Sequence, residues 1–256
     1  MQSNLKNEQM MMTKMNDLKP IDLNTDLPAC FRIIGIGEAT ADIIKTVKSY
    51  GYDYVDASVI TSPFECIPTD EDRMVVILAI DNEDNANSIA KTFHDAGVLT
   101  IGLLHNADPD CYDSVDSETP NREFPAIVKA ILQPIATQGL ISYNFNDLRT
   151  TLNDSKHFRI ISAKGSGNNR VAEAVDSIKS ELSLSRINSI ERISLFLYFN
   201  RDGKQPLMMQ EVAILNEFLS KLPENIDASW AVYPDRDIND DEIKVSIIVA
   251  GKELDL

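Results

Sequence analysis

Met74-Val-Val-Ile-Leu-Ala-Ile80 is an unbroken apolar run set between Arg73 and Asp81. A strand with one face in water alternates polar and apolar residues, so a run without alternation is expected in a strand covered on both faces. Such strands belong to parallel sheets, because the crossovers joining parallel strands lay helices over both sides. The flanking sequence supplies the rest of that layout. Phe31-Arg-Ile-Ile-Gly-Ile-Gly37 reads as a strand leading into a helix marked by Ile43, Ile44 and Val47. Residues 54–60 read as a short strand, 85–96 as a helix with Ile89 and Phe93 inward, and Val98-Leu-Thr-Ile-Gly-Leu-Leu104 as the next strand. This alternation predicts an α/β fold with a doubly wound, mainly parallel sheet.

Residues 106–121, rich in Asp, Ser, Pro and Asn, read as a loop or a shortened connection. Phe124, Ile127, Val128, Ile131, Leu132 and Ile135 form the stripe of a core helix over 122–138. Pro134 is expected to bend or end it, since an interior proline removes a backbone hydrogen bond at a cost of roughly 3 kcal/mol. The alternation then resumes with a strand at Phe158-Arg-Ile-Ile161, a helix carrying Val171, Val175, Ile178 and Leu182, a strand over 193–199, and a helix lined by Met208, Val212, Leu215, Leu219 and Leu222. Two β-rich runs, 228–233 and 243–250, flank the acidic turn Pro234-Asp-Arg-Asp-Ile-Asn-Asp-Asp241 and are expected to pair antiparallel. The predicted organisation is a disordered tail (1–30), an α/β domain (31–155), a smaller α+β domain (156–251) and a short tail (252–256).

The formal charge of −16 sets the chain against phosphate backbones and anionic membranes, so neither nucleic acid nor membrane insertion is expected. Cys30, Cys66 and Cys111 are odd in number and widely spaced, which suggests neither a disulfide framework nor a zinc site and fits a cytoplasmic protein. Residues 1–30 lack the apolar run of a signal peptide or anchor. Met10, Met11, Met12 and Met15 offer the alternative of one face of a short docking helix. His94, His105 and His157 have no metal-ligand or nucleophile spacing, and Asp81 to Asp84 lack the glycine and terminal Glu of a calcium loop, so no metal is expected.

Several segments, in order, carry a resemblance to one known family. Asp235-Arg-Asp-Ile-Asn-Asp-Asp-Glu-Ile-Lys-Val-Ser-Ile-Ile-Val-Ala-Gly251 is similar to the FtsZ C-terminal hairpin, an acidic D-x-x-x-x-D-E turn before [IL]-[RK]-V-[ST]-V-[IV]-A-x-G. Ala163-Lys-Gly-Ser-Gly-Asn-Asn-Arg-Val-Ala-Glu-Ala-Val175 resembles G-x-G-x-A-S-G-E-x-R-A-x-E-A-A, and Gly139-Leu-Ile-Ser-Tyr-Asn-Phe-Asn-Asp-Leu-Arg149 resembles the loop after the family's core helix. Ile34-Gly-Ile-Gly37 looks like the family's opening [IV]-G-[VI]-G. The resemblance implies an FtsZ/tubulin GTPase-like fold.

It also exposes what is missing. The family holds GTP with GGGTGTG, whose bare backbone amides approach the phosphates. Here that place carries Asp81-Asn-Glu-Asp-Asn-Ala-Asn-Ser88, and after Gly35 and Gly37 the first loop runs Glu38, Ala39, Thr40, Ala41, Asp42. Gly35, Gly37, Glu38, Asp42, Asp81, Asn82, Glu83 and Asp84 are therefore vestigial nucleotide-loop positions, and the family's base-binding acid falls at Ala126. In the loop that one subunit inserts into the next, the first catalytic Asp becomes Asn144, the preceding Asn becomes Ser142, and the second Asp is retained as Asp147. An amide cannot take a proton from water, so hydrolysis across that interface is expected to be weak. Asp147 has a second reading as the N-cap of a helix starting at Leu148.

The resemblance implies a structural or regulatory protein without GTPase activity and with no bound cofactor, acting on an authentic FtsZ in cell division or on copies of itself. Two alternatives stand: a weak GTPase that binds GTP with magnesium and is completed at a subunit interface, and a module that uses the crevice for another small molecule.

Overall fold

The computed structural model describes residues 30–62, 66–182 and 190–252. The predicted tails, apart from Cys30 and Lys252, lie outside the described residues, as do the four methionines. The strands are β1 (Cys30–Ile36), β2 (Val55–Ile60), β3 (Asp72–Ala79), β4 (Leu99–Leu103), β5 (Ser114–Asp116), β6 (Lys156–Ser166), β7 (Ile190–Phe199), β8 (Asp227–Pro234) and β9 (Glu242–Gly251). The helices are α1 (Ala41–Lys48), α2 (Glu83–Asp95), α3 (Phe124–Ala136), α4 (Phe145–Leu152), α5 (Arg170–Leu182) and α6 (Met209–Ser220).

Among the described residues, these strands form one sheet in the order β2-β1-β3-β4-β5-β6-β9-β7-β8. Every neighbouring pair is parallel except those made by β9, which runs against β6 and β7. The mainly parallel, doubly wound α/β sheet expected from the sequence is thus the architecture. The apolar run in β3 is buried at every position from Met74 to Ala79, as its lack of alternation requires. The strand order reverses at β1, which has β2 on one side and β3 on the other. In open α/β sheets that reversal opens a crevice at the carboxyl ends of the strands.

One core cluster takes in both halves of the chain. Ile33, Met74 and Ile101 from β1, β3 and β4 meet Phe196 and Ile248 from β7 and β9 around the α3 residues Phe124, Val128 and Ile131. Pro134 sits in the last turn of α3, which ends at Ala136, so the expected termination is found. The Pro134 carbonyl, among the last of the helix and so without a helical donor, accepts from the Tyr233 hydroxyl at 2.8 Å.

Two local expectations are corrected. The runs at 228–233 and 243–250 do not pair with each other: β7 lies between them, parallel to β8 and antiparallel to β9. β7 is buried at every residue from Ile193 to Phe199, so it needs a neighbour on each edge and takes both. The polar stretch 106–121 is not all loop, since it contains the fully buried β5. Its two buried acidic residues are hydrogen-bonded. The Asp113 carboxylate accepts from the Thr100 amide at 2.8 Å, and Asp116 accepts from the Thr119 amide and hydroxyl at 3.0 and 2.6 Å.

Candidate functional site

The crevice at the carboxyl ends of β1 and β3 brings Gly35, Gly37 and Asn82 together. Gly37 has φ 81°, a conformation favouring glycine, and a Cβ there would stand 3.2 Å from the Asn82 side-chain nitrogen. A Cβ on Gly35 would lie 2.3 Å from the Thr40 hydroxyl oxygen. Thr40, fully buried, donates that hydroxyl to the Gly37 carbonyl at 2.7 Å, and its amide reaches the same carbonyl at 3.1 Å. The Gly37 amide donates to the Ile60 carbonyl at 2.8 Å. The turn therefore has its own use for both glycines, and the Gly37 and Thr40 amides are spent on the Ile60 and Gly37 carbonyls rather than offered to an anion.

The second loop is closed in a different way. Asn82, with φ 63°, precedes α2, and Glu83 and Asp84 occupy the first helical turn. Carboxylates there are stabilised by the positive end of the helix dipole, which is the field a phosphate would otherwise use. Glu83 turns away from β1 to accept from the Asn106 amide (3.3 Å) and side chain. Asn87 adds a bond from the Asp108 amide at 3.1 Å, latching α2 to the loop after β4. Glu38, Asp42, Asp81 and Asp84 are exposed around this rim. No local pattern marks Thr40, Asn87 and Asn106, because their partners are set by tertiary placement.

The second candidate group lies at the other end of β1. Phe145, the first residue of α4, packs on Phe31 with ring centroids 5.5 Å apart. Gly37 is six residues further along, about 20 Å at roughly 3.3 Å per residue. Helix α4 starts at Phe145 rather than Leu148, and Asn144, not Asp147, is its N-cap. The Asn144 side-chain oxygen accepts from the amides of Asn146 (2.8 Å) and Asp147 (3.3 Å), while the Asp147 carboxylate accepts from the Asn144 amide at 2.7 Å. This reciprocal capping box satisfies amides that a helix start otherwise leaves bare. It assigns Asn144 and Asp147 to local order, with Ser142 and Asn144 exposed.

His105, His157 and the three cysteines offer no activated group. His105 meets the Ser117 carbonyl at 2.8 Å, and burial pushes the His157 imidazole below its ordinary pKa. Burial is also the largest cause raising the thiol pKa of Cys30, Cys66 and Cys111. Among the described residues, no group of three or more His, Cys, Asp and Glu side chains is placed to hold a metal ion. No helix among them is long and apolar enough to cross a membrane.

Comparison with known proteins bears on the fold. No protein-family model matches the chain. The cell division protein FtsZ of Porphyromonas gingivalis (strain ATCC BAA-308 / W83) is 24% identical over 125 residues, which is 49% of this chain and only 27% of that relative. Among solved structures, an empty FtsZ dimer from M. jannaschii superposes with a TM-score of 0.68 at 14% identity, covering 96% of this chain and 92% of that one. GDP-form protofilaments of TubZ from Bacillus thuringiensis serovar israelensis give 0.55 at 8% identity, covering 91% of this chain and 86% of that one. The chain has the FtsZ/tubulin-superfamily fold.

Proposed function

We propose that this chain is a structural or regulatory member of an FtsZ-type assembly that has given up nucleotide turnover and meets a filament of an authentic FtsZ through the face bearing Ser142, Asn144 and Asp147. The observation that carries this reading is the asymmetry between the two ends of β1. At the carboxyl end the Gly37 and Thr40 amides are spent on internal bonds and acidic side chains crowd the rim. At the amino end a capped, ordered segment presents exposed side chains. A subunit with one usable face binds one filament end and blocks further addition, which makes it a cap.

Two of the similar structures are described as a dimer and as protofilaments, so in those proteins this fold assembles with its own copies. The charge of −16 argues against nucleic acid as the partner. The weak-GTPase reading loses ground at Asp147, whose carboxylate already accepts from the Asn144 amide.

The test is sedimentation and electron microscopy of an authentic FtsZ assembled with GTP. Substoichiometric amounts of this chain are expected to shorten the filaments and to enter the pellet, and Ser142→Arg is expected to abolish both effects. Unchanged filament length with the chain left in the supernatant would sink the proposal. Association of the chain with itself alone, seen by sedimentation without FtsZ, would replace it with the self-assembly reading.

A further inference from the structure

Side chains alternate along the segment that leads into α4. Ser142 and Asn144 face water, while Tyr143 between them is 5% exposed. The Tyr143 hydroxyl ends in a buried cluster, 2.9 Å from the Ser194 hydroxyl of β7 and 3.2 Å from the Thr151 hydroxyl of α4. Ser194 and Thr151 are themselves 2.7 Å apart, and Ser194 reaches Ser229 of β8 at 3.0 Å. The Tyr143 ring meets Phe196 edge-on with centroids 4.9 Å apart.

The backbone of the same segment is fastened as well. The Tyr143 amide donates to the Tyr233 hydroxyl at 3.1 Å, and that hydroxyl donates onward to Pro134 at the end of α3. The Leu140 amide donates to the Val232 carbonyl at 2.7 Å, and the Val232 amide returns a bond to Ile141 at 3.3 Å. This close approach requires Gly139, where a Cβ would stand 2.6 Å from the Ile141 carbonyl oxygen and 2.8 Å from that of Val232. Every one of these anchors lies in α3, α4, β7 or β8. None lies in the loops after β1 or β3.

A segment that is ordered only on binding spends part of its interaction free energy on that ordering, and a pre-ordered one does not. We propose that Tyr143 and Tyr233 are positioning residues for the exposed face: they hold Ser142 and Asn144 in one geometry, so the face is presented to a partner whatever occupies the crevice at the far end of β1. The identity of that partner rests on the reading above. The positioning itself does not.

Amide hydrogen exchange on the full chain tests it, with and without millimolar GTP and magnesium. Each variant removes or keeps one hydroxyl: Tyr143→Phe, Tyr233→Phe, Thr151→Val and Thr151→Ser. Losing one hydroxyl of this buried network is expected to speed exchange over 140–147 about tenfold in Tyr143→Phe, Tyr233→Phe and Thr151→Val. Exchange in β1 and β3 is expected to stay as in the parent, Thr151→Ser to retain parental protection over 140–147, and nucleotide to change nothing there. Faster exchange throughout the chain, equal behaviour of Thr151→Val and Thr151→Ser, or nucleotide-dependent protection of 140–147 would each overturn the proposal. The nucleotide arm uses the parent chain, so the proposal stays testable if a variant fails to fold. Failure of the filament experiment leaves this exchange pattern intact, which separates the two ideas.

Discussion

Titration of the chain with GTP and magnesium is expected to give no saturable binding in the micromolar range. Micromolar affinity corresponds to about 8 kcal/mol. A carboxylate at about 5 Å from a phosphate charge opposes binding by roughly 3 kcal/mol at an effective dielectric of 20. Two rim residues of the set Glu38, Asp42, Asp81 and Asp84 at that distance would leave about 2 kcal/mol, well beyond millimolar. Magnesium would offset part of the repulsion but would not free the amides, since Gly37 donates to Ile60 and Thr40 to Gly37. The variant Asp81→Asn/Asp84→Asn separates the two causes at the second loop: with its two rim charges removed and the loop still closed, binding is expected to stay weaker than micromolar. A micromolar isotherm from the parent chain would reinstate the weak-GTPase reading. Recovery in the double variant would show that charge alone had closed the site.

What was legible in the sequence was what depends on local period and local chemistry. The run from Met74 to Ile80 declared a two-sided strand, and the stripe from Phe124 to Leu132 declared the helix that joins the two halves, because each pattern needs only its own neighbours to be read. Strand pairing does not work that way. Whether β8 meets β9 or β7 depends on which strand needs two covered edges, and the buried face of β7 decides it. β5 was hidden because Ser114 and Asp116 are polar, and their burial is compensated by partners the sequence does not display. At the candidate site the substitutions were visible, since missing glycines and added carboxylates are matters of identity. Their consequences were not. Asp147 reads as a cap or a catalytic relic, and a helix that starts three residues earlier makes it the capping partner of Asn144. Tyr143, between two residues singled out for chemistry, carried no signal beyond its place in the alternation, yet its hydroxyl reaches a serine 51 residues away.

The largest stability loss is expected from Glu211→Ala. Arg170, the first residue of α5, is 1% exposed, an unusual position for a guanidinium. Its nitrogens donate to both Glu211 carboxylate oxygens at 2.7 and 3.1 Å, and to the carbonyls of Gln205 (3.3 Å) and Pro206 (3.0 Å). Glu211 also accepts from the Met208 amide at 2.8 Å, so it closes the start of α6 as well. Strand β6 presses on the same point: a Cβ on Gly165 would stand 1.8 Å from the Arg170 carbonyl oxygen. Removing Glu211 leaves a buried cation without its counter-ion, which typically costs about 3–5 kcal/mol. Domains of this size hold only about 5–15 kcal/mol in total. Urea unfolding followed at Trp230, the one tryptophan, reads this directly because Trp230 packs against the cluster that α5 and α6 cover. The midpoint is expected to fall steeply for Glu211→Ala, and to recover in part in Arg170→Met/Glu211→Met, where no charge is stranded. A loss below about 1 kcal/mol in the single variant would mean that water reaches Arg170. A double variant no better than the single would mean that the carbonyl bonds to Gln205 and Pro206, rather than the ion pair, hold α6 against α5.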